Sequence, residues 1–516
     1  MKKIVMVVVS IAFLGLYFLY DNIDMFSKDT VMGIKLLSQE EIDTLCENRE
    51  DAFMWPELTL NGGAVPYDID QNMLLIPQSM SEPGYKGELA APDGELYFLT
   101  DEGFWDKETA LSENKVFRLF WVRENICWMY NVYFTGMPVM NMITLENLGE
   151  YEQSTGYMEL HDPYRSNSNM IYADCSWHKR GATTLQYEKG SYRLTLTGEK
   201  RSLLGMRNDE DWMLHSLYDD DGLVHNKMSY EVWQRIAADN SVSYDEGITM
   251  EYVELFKDGY YQGVYGLSER IDAKELALND KDILYKCKGQ DPPGEDDFYS
   301  ELTEDMTPTF EWKYPKDFQE EDWKPLQNWA DAFCFDNADS YEESAALLNM
   351  ENAVDYNVFN ILISGMDNIM KNVYFWADYQ VDGSYQFIKI PWDLNMTWGN
   401  SWFDDINCKF NCYQEKNLDS PDGWSEDMYV LYQQNPDEIG ALMKRRWQEL
   451  RADVLTKESL MNIADEEFAY LHGSGAYTRN YQKWPEGTEY WSDEFLYEYI
   501  EKRIDYLDSY FGQMGE

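Results

Sequence analysis

Apolar residues recur with a strand's period at several places after Pro138 and with a helix's period at others. Val139 to Leu145, Tyr157 to His161 and the alternating run Ser191 to Thr197 read as strands. Asn226 to Ala238 reads as a helix, with Met228, Val232 and Ile236 near one face. Met250 to Phe256 and Gln262 to Leu267 predict a hairpin around Asp258-Gly259. The stretch Trp323 to Met366 is largely helical in pattern, with Val354, Val358, Phe359, Ile361 and Leu362 on one buried face. Val373 to Tyr379 and Ser384 to Ile390 are a second pair of strands, separated by the turn signal Asp382-Gly383. A type I′ turn there sets Val381 against Ser384. The same register then puts Asn372 opposite Asp393, with Cβ atoms about 5 Å apart. Residues 289–325 are acidic and proline-bearing and read as an irregular insertion, and the chain from Pro421 onward is helical.

Upstream, Glu95 to Thr100, Val116 to Val122 and Met129 to Phe134 are β-rich, and residues 24–135 are expected to form a small β-rich accessory domain. Lys2-Lys3 precede a 17-residue apolar run from Ile4 to Tyr20, followed by Asp21 and Asp24. That run is at the lower limit for spanning a bilayer, and its flanking charges put the bulk of the chain outside. Residues 1–23 therefore read as an uncleaved signal anchor that attaches the protein to a membrane. A cleaved signal peptide, giving a secreted protein, is the alternative. Residues 136–516 form the remaining domain. A strand-rich part followed by a helical part predicts an α+β fold of the bilobal, protein-kinase-like kind, with a nucleotide between a strand-rich N-lobe and a helical C-lobe.

At 516 residues, 44% hydrophobic and 16% aromatic, the chain is globular rather than disordered. Its 95 acids against 42 bases give a formal charge of −53. Nucleic acid is excluded as a partner, because phosphate backbones need a basic face. An anionic nucleotide can bind only where a metal and a few bases reverse the local sign. Seven cysteines without a CxxC pair, and only five histidines, argue against a zinc site. The cysteine pattern leaves the disulfide state open.

The pattern most relevant to chemistry is Asp367-Asn-Ile-Met-Lys-Asn372 followed by Pro391-Trp392-Asp393-Leu394-Asn395. Phosphoryl transfer needs metal ions and cations on the phosphates and a base near the attacking hydroxyl. A base Asp five residues before a metal-binding Asn, with a metal-binding Asp after it, is the protein-kinase spacing. Magnesium prefers such oxygen ligands and keeps several waters. Lys371, beside the loop, is placed to steady the γ-phosphate. Trp392 and Trp398 flank the loop and are expected to pack in the core.

These motifs resemble the CotH kinase family, named for a spore-coat protein H. The resemblance is carried by Arg180-Gly181-Ala-Thr-Thr, Lys189-Gly-Ser-Tyr-Arg193, Gly259-Tyr-Tyr-Gln-Gly263 through Glu269-Arg-Ile-Asp272, the two loops above, Gly399, Arg445-Arg-Trp447 and Arg503-Ile-Asp505. It runs from Pro138 to Phe511. It implies an atypical protein kinase that binds ATP with Mg2+ and phosphorylates Ser or Thr of coat or cell-surface proteins. Carried over, Asp367 is the catalytic Asp, with Lys371 beside it, and Asn372, Asp393 and Asn395 are the metal ligands. Where the family reads Asp-Leu-Asp, this chain has Asp393-Leu394-Asn395, which brings no charge at the third position. Arg180 and Lys189 are expected on the nucleotide phosphates, Glu231 paired with Lys189, and Glu269 at the interlobe hinge. Two other readings stay open: a non-catalytic adhesin or coat-assembly protein with the same fold, and transfer to a small molecule or carbohydrate.

Overall fold

The computed structural model of the chain describes residues 30–514 apart from 101–102, 105, 148, 150–151, 166–169, 182, 241–246, 295–306, 308, 318, 336–339, 401–422 and 486–491. Seven strands close into a barrel: Val139–Glu146, Ser154–His161, Met170–Arg180, Ser191–Leu196, Asp211–His215, Tyr260–Ser268 and Met250–Lys257, in that order around the wall. Neighbours are antiparallel except at the closure, where Val139–Glu146 runs parallel to Met250–Lys257. Every second residue points inward. Met140, Met142, Met158, Leu160, Val253 and Leu255 fill the interior and are fully buried.

The bilobal kinase-like fold expected from the sequence is not formed. The strand-rich part is a closed barrel, not the sheet of an N-lobe. Two strands that the pattern reading missed, Met170–Arg180 and Asp211–His215, complete the wall. The closing parallel pair joins segments far apart in sequence, which no local alternation encodes. Nor is the second part simply helical. A four-stranded antiparallel sheet, Phe310–Tyr314, Ile283–Cys287, Val373–Tyr379 and Tyr385–Pro391, lies within it. Phe310–Tyr314 falls in the stretch read as an irregular insertion. The expected membrane anchor, residues 1–23, lies outside the described residues, and among those described no helix is long and apolar enough to cross a membrane.

The helix Met350–Ile363 backs this sheet and is buried on all sides from Asn352 to Ile363. Burial all round means that its polar side chains must find partners within the core. Its polar Asn352 is satisfied across the interface, donating to Lys389 O at 3.1 Å and accepting from Lys389 N at 2.7 Å. Glu426–Gln434, Pro436–Ala452 and Asp493–Gly512 pack on this helix, Lys457–Gly473 lies against Asp493–Gly512, and Ala476–Lys483 packs on the barrel strand Tyr260–Ser268.

The sheet's hairpin differs from the expected one by one residue. Val373 faces Pro391 and Tyr379 faces Tyr385. The loop is the three residues Val381-Asp382-Gly383, closed by Gln380 N to Ser384 O at 2.9 Å and Gly383 N to Gln380 O at 3.0 Å. Gly383 takes φ 90°, which a side chain would disfavour. A two-residue type I′ turn is therefore absent. Trp392, rather than Asp393, stands opposite Asn372, its N–H donating to Asn372 O at 2.9 Å.

N-terminal to the barrel, a seven-stranded mixed sheet is centred on Glu95–Leu99, Val116–Val122 and Cys127–Thr135. A disulfide, Cys46–Cys127, ties its first helix, Gln39–Cys46, to the last of those strands. The sheet docks on the barrel through Tyr261 N to Asp68 Oδ2 at 2.8 Å and Ile69 N to Gly259 O at 3.0 Å.

Candidate active site

One end of the barrel, one end of the four-stranded sheet and the first turn of the helix His225–Asp239 enclose a cavity of about 550 Å³. The barrel contributes Arg180, Ser191, His215 and the segment through Asp219. The sheet contributes Lys286, Lys288 and Gln290 on one side, and Asp367, Lys371, Asn372, Asp393 and Asn395 on the other.

The two loops converge because their exits from the strands are bent. Asn372 (φ 60°) and Asp393 (φ 59°) both adopt the left-handed region just outside the paired strands. That turn re-aims both side chains, so the cavity receives them despite the shifted register. Asn368, fully buried, staples the strand ends: its Nδ2 donates to Trp392 O at 2.8 Å and to Asn372 O at 3.3 Å. Its own carbonyl accepts from Tyr356 OH at 2.6 Å. On the opposite side, Tyr230 OH accepts from Asp393 N at 3.0 Å and Asn226 Oδ1 accepts from Leu394 N at 2.8 Å. Both belong to the helix His225–Asp239. Asp220 caps that helix, its Oδ1 accepting from His225 N at 3.2 Å and its Oδ2 from Asn226 N at 3.0 Å. The Asp393 loop is thus fixed to a capped helix, not left to its own flexibility.

Asn372 Nδ2 donates to Asp367 Oδ2 at 2.8 Å. That contact commits the amide nitrogen and leaves Oδ1 as the end available to a cation. Lys371 Nζ lies 3.3 and 3.2 Å from the two Asp367 oxygens. Burial raises the Asp367 carboxyl above its usual range, with Asp393 adding to the rise and Lys371 opposing it. A carboxylate raised in this way is a stronger base.

The electrostatics run against the rest of the molecule. Four cations, Arg180, Lys286, Lys288 and Lys371, line the cavity against three carboxylates, Asp219, Asp367 and Asp393, in a chain of formal charge −53. Burial, then the nearby Arg180, lower Lys286 to about 8, so it is mostly protonated at neutral pH. The Arg180 guanidinium lies 5.6 Å and the Lys286 ammonium 5.7 Å from the Trp392 ring centre, while Trp392 itself is 1% exposed. Trp392 is therefore a platform for the cations within the core. Trp398 is also buried, its Nε1 donating to Ser229 Oγ at 2.9 Å. His215 is driven down to about 3 by burial and by Arg180, and is neutral.

Three residues expected near the nucleotide lie elsewhere. Lys189 is 1% exposed, and its ammonium donates to Val264 O at 2.7 Å and Asn480 Oδ1 at 2.8 Å, behind the barrel wall. Glu231 pairs with Arg235 on its own helix, so the expected Lys189–Glu231 pair does not form. Glu269 accepts from Arg207 N at 2.8 Å and Thr249 N at 3.0 Å and closes a barrel connection. Among the expected cofactor-binding residues, Arg180 alone lines the cavity. The sequence reading missed Lys286, Lys288, Gln290, Asp219 and the clamps Asn368, Tyr230 and Asn226. Its signal for Lys286 was the short apolar run Ile283–Cys287, which went unread as a strand.

The donor set fits a hard cation with phosphate. Asp393, Asn372 and Asn395 offer oxygen, without thiolate or imidazole competition apart from the neutral His215, and the four cations suit phosphate oxygens. The acidic triple Asp209-Glu210-Asp211 does not compete as a metal site, because Arg207, Lys274, Lys200 and Arg193 already pair with it.

Comparison with curated proteins gave no match. The family model described as CotH kinase protein matches residues 178–507. The match is shorter at its start than the resemblance read from Pro138, and it leaves out the accessory sheet and the first two barrel strands. It includes every cavity-lining residue, from Arg180 to Met396, and more than half of the chain. The chain belongs to the CotH kinase family.

Proposed function

We propose that this protein transfers the γ-phosphoryl group of ATP, with Mg2+, to a Ser or Thr hydroxyl of a coat or cell-surface protein. The observation that carries the reading is the cavity's reversed charge, with Asp393 and Asn372 brought together beside Asp367. Bound magnesium supplies charge neutralisation at the phosphate oxygens. Asp393 and the Oδ1 of Asn372 are the residues that hold it. Lys286 and Arg180, steadied on Trp392, hold phosphate oxygens, and Lys288 adds charge at the sheet edge. Asp367 accepts the acceptor hydroxyl's proton as the new P–O bond forms and the bond to the ADP oxygen breaks. Lys371, on Asp367 at rest, is close enough to the same oxygens to follow the charge as it moves.

The Cys46–Cys127 bridge supports an oxidising, extracytoplasmic setting, where cell-surface acceptors are met. The test is incubation with γ-labelled ATP, MgCl2 and candidate coat or surface proteins. Label on Ser or Thr, lost with Asp367→Asn, is the expected result. Nucleotide binding without transfer to any acceptor would return the protein to the adhesin or coat-assembly reading.

A further inference from the structure

We infer that Asp219 is a further ligand of the divalent cation assigned to Asp393, and that Asn395 positions it. The inference rests on the magnesium–nucleotide reading of this cavity.

The segment carrying Asp219 is stapled to the Asp393 loop. Asn400 Nδ2 donates to Asp219 O at 2.9 Å and to Asn395 O at 2.9 Å, bridging the two backbones with one amide. The next residue, Asp220, caps the helix whose Asn226 and Tyr230 hold Leu394 N and Asp393 N. Two independent ties therefore fix Asp219 against the loop. Burial, then Asp393, work against the charge on its carboxylate, and the Asn395 side chain works in favour of it. Both carboxylates line the same cavity.

Two carboxylates so arranged repel each other, which either a proton on one of them or a cation between them relieves. Among the described residues, neither Asp219 nor Asp393 takes part in an ion pair, although Asp367 has Lys371 and Asp209 has Arg207 and Lys274. A divalent cation bound by both relieves the repulsion. The arrangement also accounts for Asn395. A third acid at that position would add charge to a pair that already carries two, whereas the carboxamide can hold Asp219 by a hydrogen bond. Asp219, from the barrel side, supplies the second negative ligand that the Asp393-Leu394-Asn395 loop lacks.

The experiment is calorimetric titration of the full chain with MnCl2, without nucleotide, with a urea midpoint recorded for each variant. Asp219→Asn is expected to weaken Mn2+ binding by about tenfold or more, and adding Asn395→Asp to it to recover most of the loss. Unchanged Mn2+ affinity in Asp219→Asn, beside a clear loss in Asp393→Asn, overturns the inference and leaves the proposed function standing. Unchanged affinity in both variants removes the metal site itself. Should Asp219→Asn fail to fold, Asp219→Ser, which keeps a small polar side chain there, decides. Mn2+ binding weakened by about tenfold or more supports the shared site, and unaltered binding overturns it.

Discussion

Replacing Lys286 by Met gives the most quantitative prediction. Methionine keeps the length of the stem that packs between Trp392 and Tyr374, whose ring centres lie 5.7 and 5.6 Å from Nζ. It removes the charge and leaves no new buried polar atom. A hydrogen bond from a charged group contributes about 1.5–3 kcal/mol, which is about 10- to 150-fold in Kd for MgATP at pH 7. The pH dependence separates this from lost packing. With Lys286 at about 8, it is protonated below that pH and neutral above it. Phosphate binding requires the protonated form, so affinity is full at low pH and is lost as pH rises through about 8. Between pH 7 and 9 the wild-type Kd should rise about tenfold, and that of Lys286→Met should stay flat. Isothermal titration with MgATP at fixed ionic strength measures both. A variant Kd within about twofold of wild type, or a wild-type Kd indifferent to pH across that range, would refute the role.

Three further outcomes follow from the same geometry. Asp367→Asn should cut phosphoryl transfer by about 10²- to 10⁴-fold while MgATP affinity, read by titration, stays near wild type. Lys189→Met should lower the free energy of unfolding, read from urea titration, by about 1–3 kcal/mol, because Val264 O loses its buried donor, and leave nucleotide affinity unaltered. Cys46→Ser opens a bridge between residues 81 apart in sequence. Chain entropy sets the loss at about 4.5 kcal/mol, and thermal unfolding of the accessory sheet with and without reductant measures it.

Local pattern revealed elements well and their assembly poorly. Val116–Val122 and Val373–Tyr379 match the read strands residue for residue, and His225–Asp239 matches the read helix to within one residue at each end. Those segments have dense β-branched and aromatic content or a clear helical stripe. The barrel was illegible because its closure depends on one parallel pairing between Val139–Glu146 and Met250–Lys257; the strand Met170–Arg180 does alternate, with Ile171, Ala173, Cys175 and Trp177 buried between Tyr172, Asp174, Ser176 and His178, and was overlooked. The site divides along the same line. Asp367, Asn372 and Asp393 were read from spacing along one loop and one hairpin, and all three line the cavity. They meet for a reason the hairpin argument did not contain: left-handed backbone at Asn372 and Asp393, where polar side chains tolerate positive φ, offsets a one-residue error in register. Lys189 was expected on phosphate because it opens a strand, but the strand's start points its side chain into the protein, onto Val264 and Asn480. Lys286 and Asp219 reach the cavity from segments distant in sequence, and only the fold brings them there.

The central claim is that Asp393 holds a magnesium ion through which the cavity binds ATP. The direct measurement is ATP affinity with MgCl2 and with EDTA, at equal ionic strength, for wild type and for Asp393→Ala with its fold checked by urea unfolding. Wild type is expected to lose at least about tenfold in affinity without magnesium, and the variant to show no magnesium dependence. Equal wild-type affinity in EDTA, or an intact magnesium effect in folded Asp393→Ala, would contradict that claim.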